Sequence, residues 1–202
     1  MSSKKLIEVN NISIIRNKQL IQENLSFTWK KGEQWCLTGA TGSGKTSFLK
    51  TIIGSFYPQK GSINYPFADE LNIRREDIQK HIAFVPQEVK IKTHFIQDLY
   101  YQRRYYATEQ NNIPLCFQIL LEHANNQVKL VHEIAELMNL KKLYYQAFIQ
   151  LSNGQTRRLM IALGLLKQPK ILLLDNPYIG LDAESKANLN QYLEKLVKNG
   201  LH

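Results

Sequence analysis

Gly39-Ala40-Thr41-Gly42-Ser43-Gly44-Lys45-Thr46 reads G-x-x-x-x-G-K-T and directly follows the apolar run Trp35-Cys36-Leu37. The order predicts a strand over Gln34–Thr38, a glycine-rich turn, and a helix over Ser43–Ile53. Such a turn presents successive backbone N–H groups at a helix N-terminus, where the peptide dipoles favour an anion. Lys45 can reach the β- and γ-phosphates of a nucleotide, and the Thr46 hydroxyl can bind Mg2+. With Ser47 next in the helix, residues Gly39 to Ser47 are the candidate nucleotide-binding segment.

Outward from this loop the chain alternates strands and helices. Leu6–Val9, Ile12–Ile15, Leu20–Leu25 and Phe27–Trp29 are short pieces of alternating polarity that predict an antiparallel sheet. Phe48, Leu49, Ile52 and Ile53 share one face of the predicted helix, and Gly54 stands where a C-terminal cap belongs. A turn with Pro58 and Gly61 leads to strands at Ser62–Tyr65 and His81–Val85. Helical spacing then covers Phe95–Tyr106, Leu115–Ala124 and Val128–Leu140. After Gly154 another helix runs to about Leu166, Lys170–Leu174 is a wholly apolar strand, and Asp182–Lys198 is a last helix.

The chain has 202 residues, 44% hydrophobic and 21% charged, which is the balance of an ordinary globular protein. The best apolar stretch, Leu159–Leu166, is far below the roughly 20 residues a spanning helix needs. Met1-Ser2-Ser3-Lys4-Lys5 lacks the apolar centre of a secretory signal, and Cys36 and Cys116 share no metal spacing. A cytoplasmic protein is therefore expected, with peripheral contact at the inner membrane face as a variant. The net charge of +9 is spread over pairs such as Lys30-Lys31, Arg103-Arg104 and Arg157-Arg158, each read as a solvated face. Tyr100, Tyr101, Tyr105 and Tyr106 beside Arg103 and Arg104 suit a packed helix better than base stacking, so nucleic acid is disfavoured as a partner.

A second constellation narrows the class. Leu151-Ser152-Asn153-Gly154-Gln155 resembles the L-S-G-G-Q signature of ATP-binding cassette (ABC) ATPases. Phe84-Val85-Pro86-Gln87 resembles that family's Q-loop, Ile171-Leu172-Leu173-Leu174-Asp175 its Walker B strand, and Gly180-Leu181-Asp182 its D-loop. The resemblance covers essentially the whole chain. It implies an α/β fold: a P-loop NTPase core of mostly parallel sheet flanked by helices, an N-terminal antiparallel β subdomain and an inserted α-helical subdomain. In these terms residues 1–202 form a single ABC domain, with 1–89 and 148–202 as core and 90–147 as helical lobe.

The resemblance also implies roles. Lys45 and the loop amides would neutralise phosphate charge, Thr46, Gln87 and Asp175 would hold Mg2+ or its water shell, and Gln87 would sense the γ-phosphate. Leu151 to Gln155 would face the γ-phosphate bound to a partner cassette, with Asp182 at the pair interface. Cofactors are then ATP and Mg2+. The partners are a second cassette, as homodimer or tandem half, and a separate membrane permease if transport is the role.

Four positions depart from the family pattern. Asn176 stands where a catalytic Glu normally follows the Walker B Asp, so general-base help worth about 10²–10⁴-fold is expected to be reduced. Asn153 replaces the first signature glycine, and Ile12–Ile15 offers no aromatic to stack on adenine. The family's further strand, ending in a switch histidine, has no counterpart before Gly200-Leu201-His202, so the chain reads as a cassette cut before it. The texture of Gln155-Thr156-Arg157-Arg158 resembles tandem cassettes associated with molybdenum transport. The expected activity is slow ATP hydrolysis coupled to transport. The alternatives are a soluble ABC ATPase acting on ribosome or nucleic acid, and a binding-only pseudo-cassette.

Overall fold

The structure, a computed structural model, describes residues 4–88 and 113–202. Within them β1 (Lys5–Arg16), β2 (Gln19–Lys30) and β3 (Lys60–Asn64) form an antiparallel sheet in the order β2-β1-β3. The four short pieces expected from the sequence are two long strands: Asn10-Asn11 is a bulge within β1, Asn17-Lys18 is the turn into β2, and Ser26 lies within β2. Val9 and Ile12 both reach the core although three positions apart, because Asn11 takes φ 48° and resets the alternation. On β2, Asn24 does the same at φ 50°, and its N–H donates to Ser13 Oγ. Asn suits both places because it tolerates left-handed backbone at low cost.

The turn into β3 depends on Gly61. At φ +81°, a Cβ there would lie 2.3 Å from the Asn10 carbonyl oxygen and 2.4 Å from that of Asn11, both rigid backbone. Gly61→Ala therefore adds left-handed strain of about 1–2 kcal/mol to a clash that no side-chain rotation relieves. A loss of at least about 2 kcal/mol is expected in a denaturant melt; a wild-type midpoint would show that the β1–β3 approach does not need glycine.

Helix α1 (Lys45–Ile52) lays Phe48, Leu49 and Ile52 on this sheet, with Ile7, Ile12, Ile14, Trp29 and Phe67 in the same core. Gly54, at φ 75°, ends it as expected; Gly54 N–H donates to Thr51 O and Ser55 N–H to Lys50 O. A short helix, α2 (Pro66–Glu70), and a 3-10 stretch at Arg75–His81 lead into β4 (Ile82–Val85).

Strands β4 and β5 (Ile171–Leu174) pair in parallel, Ile82 opposite Ile171 and Val85 opposite Leu174. Helices α3 (Cys116–His123), α4 (Val128–Leu137), α5 (Asn153–Leu165) and α6 (Ala183–Lys198) build a second core around Leu120, Met138, Leu159, Ile161 and Leu189. The predicted Phe95–Tyr106 helix, with its tyrosines and arginines, lies outside the described residues. No helix among the described residues is long and apolar enough to cross a membrane.

One expected element is not formed. Residues 34–38 are not a strand; Trp35 is 53% and Leu37 46% exposed. A strand requires a ladder partner, and among the described residues no backbone hydrogen bond joins this segment to either sheet. The free edge of β5 is instead met by the residues after α6. Leu172 N–H donates to His202 O at 2.6 Å and His202 N–H to Lys170 O at 3.3 Å, the pattern of a parallel bridge. The apolar run before the loop is held through aromatic contacts instead: Trp35 packs on Phe27 at a 5.0 Å centroid distance, and its Nε1 donates to Glu33.

Candidate nucleotide site

The loop turns as its glycines require. Gly39, Gly42 and Gly44 all have positive φ, and residues 39–43 are exposed. At Gly44 the reason is also spatial: a Cβ would lie 2.0 Å from Ile21 Cγ2, so β2 presses directly on the loop where α1 starts. Lys45 Nζ donates to the carbonyl oxygens of Gly39 (2.7 Å) and Ala40 (2.8 Å). The ammonium therefore lies across the loop that would cradle phosphate.

Two further segments converge on the same end of α1. Thr46 Oγ1 donates to Asp175 Oδ2 at 2.6 Å, linking the first turn of α1 to the end of β5. Asp175 is 3% exposed, and its N–H donates to Val85 O, continuing the β4–β5 ladder by one residue. Beyond β4, Gln87 meets Asn176: Asn176 Nδ2 donates to Gln87 Oε1 at 2.6 Å. Asn176 has φ 45°, the left-handed region that Asn accepts more readily than most residues. Thr46, Gln87, Asp175 and Asn176 are thus brought together from three places in the sequence.

The second group of candidate residues gathers elsewhere. Ser152 caps α5 in a reciprocal box: Gln155 N–H donates to Ser152 Oγ (3.2 Å), and Ser152 N–H to Gln155 Oε1 (2.8 Å). Asp182 caps α6, accepting from Ser185 N–H at 2.7 Å, and that bond holds its carboxyl below the usual value. The two helix starts touch. Asn153 Nδ2 donates to Gly180 O at 3.4 Å, and a Cβ on Gly154 would lie 2.8 Å from Ser185 Oγ. Leu151 is buried beneath them.

The basic pair Arg157-Arg158 is not a solvated face. Arg157 is 5% exposed, and its guanidinium donates to the carbonyl oxygens of Pro86 (2.8 Å), Gln87 (3.0 Å) and Asn176 (3.4 Å). Burial lowers its pKa against the opposing attraction of Asp175. Arg158 donates to the carbonyls of Met138 and Asn139. Helical spacing could have revealed the first: Arg157 shares its face with Met160, Ile161 and Gly164, all buried.

The donors fit a hard cation such as Mg2+: a hydroxyl, a carboxylate and an amide oxygen, all oxygen. No cluster of three or more His, Cys, Asp or Glu exists among the described residues. A lone carboxylate beside a phosphate loop is the arrangement Mg2+ uses when substrate phosphates supply other ligands.

Fold and site together define a P-loop nucleoside triphosphatase. Residues 22–179 match the ABC transporter family, and the chain belongs to that family, as an ATP-binding domain. It is 29% identical over 192 residues to the zinc import ATP-binding protein ZnuC of Acinetobacter baylyi, covering 95% of this chain and 63% of that protein. An uncharacterized ABC transporter ATP-binding protein of Schizosaccharomyces pombe is 34% identical over 180 residues, 86% of this chain and 36% of that one. The chain thus spans about one to two thirds of the length of these relatives. Among solved structures, cbiO1 of Clostridium perfringens, part of the ABC transporter complex cbiONQ, superposes with TM-score 0.71 at 21% identity, covering 98% of this chain and 75% of that one. A putative metal-chelate type ABC transporter in an inward-facing conformation gives TM-score 0.74 at 20% identity, covering 98% and 71%. These likenesses establish the P-loop ABC ATPase fold.

Proposed function

We propose that this chain binds ATP with Mg2+ at Gly39–Ser47. In this reading it pairs with a second cassette and works with a separate membrane permease to drive transport from the cytoplasmic face. The observation that carries the reading is the Thr46–Asp175 hydrogen bond, which sets the phosphate loop against the end of a buried strand. Lys45 swings from the Gly39 and Ala40 carbonyls onto the β- and γ-phosphates, and the loop amides and the α1 dipole take the remaining charge. Thr46, Asp175 and Gln87 are the residues that would hold Mg2+, which when bound offsets charge on the phosphates.

Ser152 and Gly154, at a capped helix start, suit the γ-phosphate of a partner's nucleotide. The chain's own water would be oriented by Asn176 and Gln87, two neutral amides, so turnover at this site is slow. The cargoes in relatives' names are zinc for ZnuC and sulfate or thiosulfate for CysA of Pseudomonas syringae, and neither favours molybdenum.

Asp175→Asn tests the site. The amide keeps the size of the carboxylate but not its charge, so ATP affinity in Mg2+ should fall about tenfold or more, to the value measured in EDTA. Equilibrium titration with a fluorescent ATP analogue reads this directly. Undiminished Mg2+-dependent affinity in the folded variant would remove Asp175 from the site.

A further inference from the structure

Helix α5 carries the candidate trans contacts at its start and Arg157 five residues after the Ser152 cap, roughly 7.5 Å further along the axis. The guanidinium is a planar fork of donors, and here it joins three carbonyls from two separate segments. Two of those carbonyls belong to Gln87 and Asn176, whose side chains hydrogen-bond each other at 2.6 Å. The same cation therefore fixes the backbone on both sides of the amide pair. It is itself held rigidly, because α5 is buried along most of its length and Thr156 and Leu159 on either side of it are 4% and 0% exposed.

We infer that Arg157 is a positioning residue that sets the Gln87–Asn176 amide pair and couples it to the first turns of α5. A shift of α5 pulls the Pro86, Gln87 and Asn176 carbonyls with it, and ordering of Gln87 by bound nucleotide is felt at Asn153–Thr156. The chain's own nucleotide site and the surface it offers to a partner's nucleotide thus share one side chain. A simpler role, filling space under the helix, would need neither the fork nor the charge. Methylene packing alone leaves the carbonyls free to drift apart.

The inference rests on the ATP reading of the site, and the experiment separates the two. ATP-analogue affinity is titrated in Mg2+ and in EDTA for the wild-type chain, Arg157→Lys and Arg157→Gln, with thermal melts to establish folding. The Gln variant should lose at least tenfold in Mg2+ and less than twofold in EDTA. The Lys variant, charged but without the planar fork, should recover only part of that increment. Equal losses in Mg2+ and EDTA would indicate general damage and overturn the inference, as would a wild-type increment in both variants.

Should either variant fail to fold, hydrogen exchange on the wild-type chain decides the matter. At concentrations where the chain is monomeric, MgATP should raise protection at residues 86–88 and at 153–158 together. Protection confined to the loop and residues 86–88 overturns the coupling while leaving the ATP reading intact. A wild-type chain with no nucleotide affinity in either condition overturns the ATP reading, and the coupling with it.

Discussion

Replacing Lys45 with alanine should raise the dissociation constant for MgATP about 10- to 150-fold. The estimate follows from a charge-assisted hydrogen bond to phosphate, worth about 1.5–3 kcal/mol when lost. Folding should be unaffected. Among the described residues the Lys45 ammonium donates to the Gly39 and Ala40 carbonyls, which lie on the exposed loop and can turn to water once the ammonium is gone. Isothermal titration paired with a thermal melt separates affinity from stability. An unchanged dissociation constant in the folded variant would mean that the glycine-rich loop is not gripping phosphate.

The largest expected change in rate comes from Asn176→Glu. A carboxylate at this position can accept a proton from the attacking water, a contribution of about 10²–10⁴-fold in turnover. Two local features oppose part of the gain. Residue 176 sits at φ 45°, a conformation costing most non-glycine residues about 1–2 kcal/mol. Gln87 would also have to rotate its amide, since its Oε1 accepts from Asn176 and would meet a carboxylate oxygen instead. A net rise of at least tenfold is still expected, measured where the chain pairs so that each site has its trans contacts. The gain in turnover should fall away at acid pH, because the added glutamate must be ionised to accept the proton. No rise in turnover, with ATP affinity retained, would place the limit on catalysis somewhere other than residue 176.

The phosphate loop, the capped starts of α5 and α6 and the buried β5 were legible in the sequence because each is specified locally. The box at Ser152 and Gln155 and the cap at Asp182 depend on neighbours three residues away. What was misread depends on partners distant in sequence. Asn11 reads as a break between two strands because a bulge and a turn use the same residue type. The Gln34–Thr38 run has strand propensity, yet pairing is a property of two segments, and one sequence window cannot supply the second. Arg157 reads as a surface charge in the sequence because its partners are backbone carbonyls 71, 70 and 19 residues away, which have no residue signature at all.

Strand β5 sends Ile171 and Leu173 into the core shared with β1 and α1, and Leu172 and Leu174 against the helical core. It is a party wall between two separately packed bodies, and Asp175 is its last brick. A nucleotide drawn onto Asp175 and Gln87 would load that wall at its end, where Thr46 braces one side and Arg157 the other. A displacement at the phosphate would then be felt by both packed layers at once.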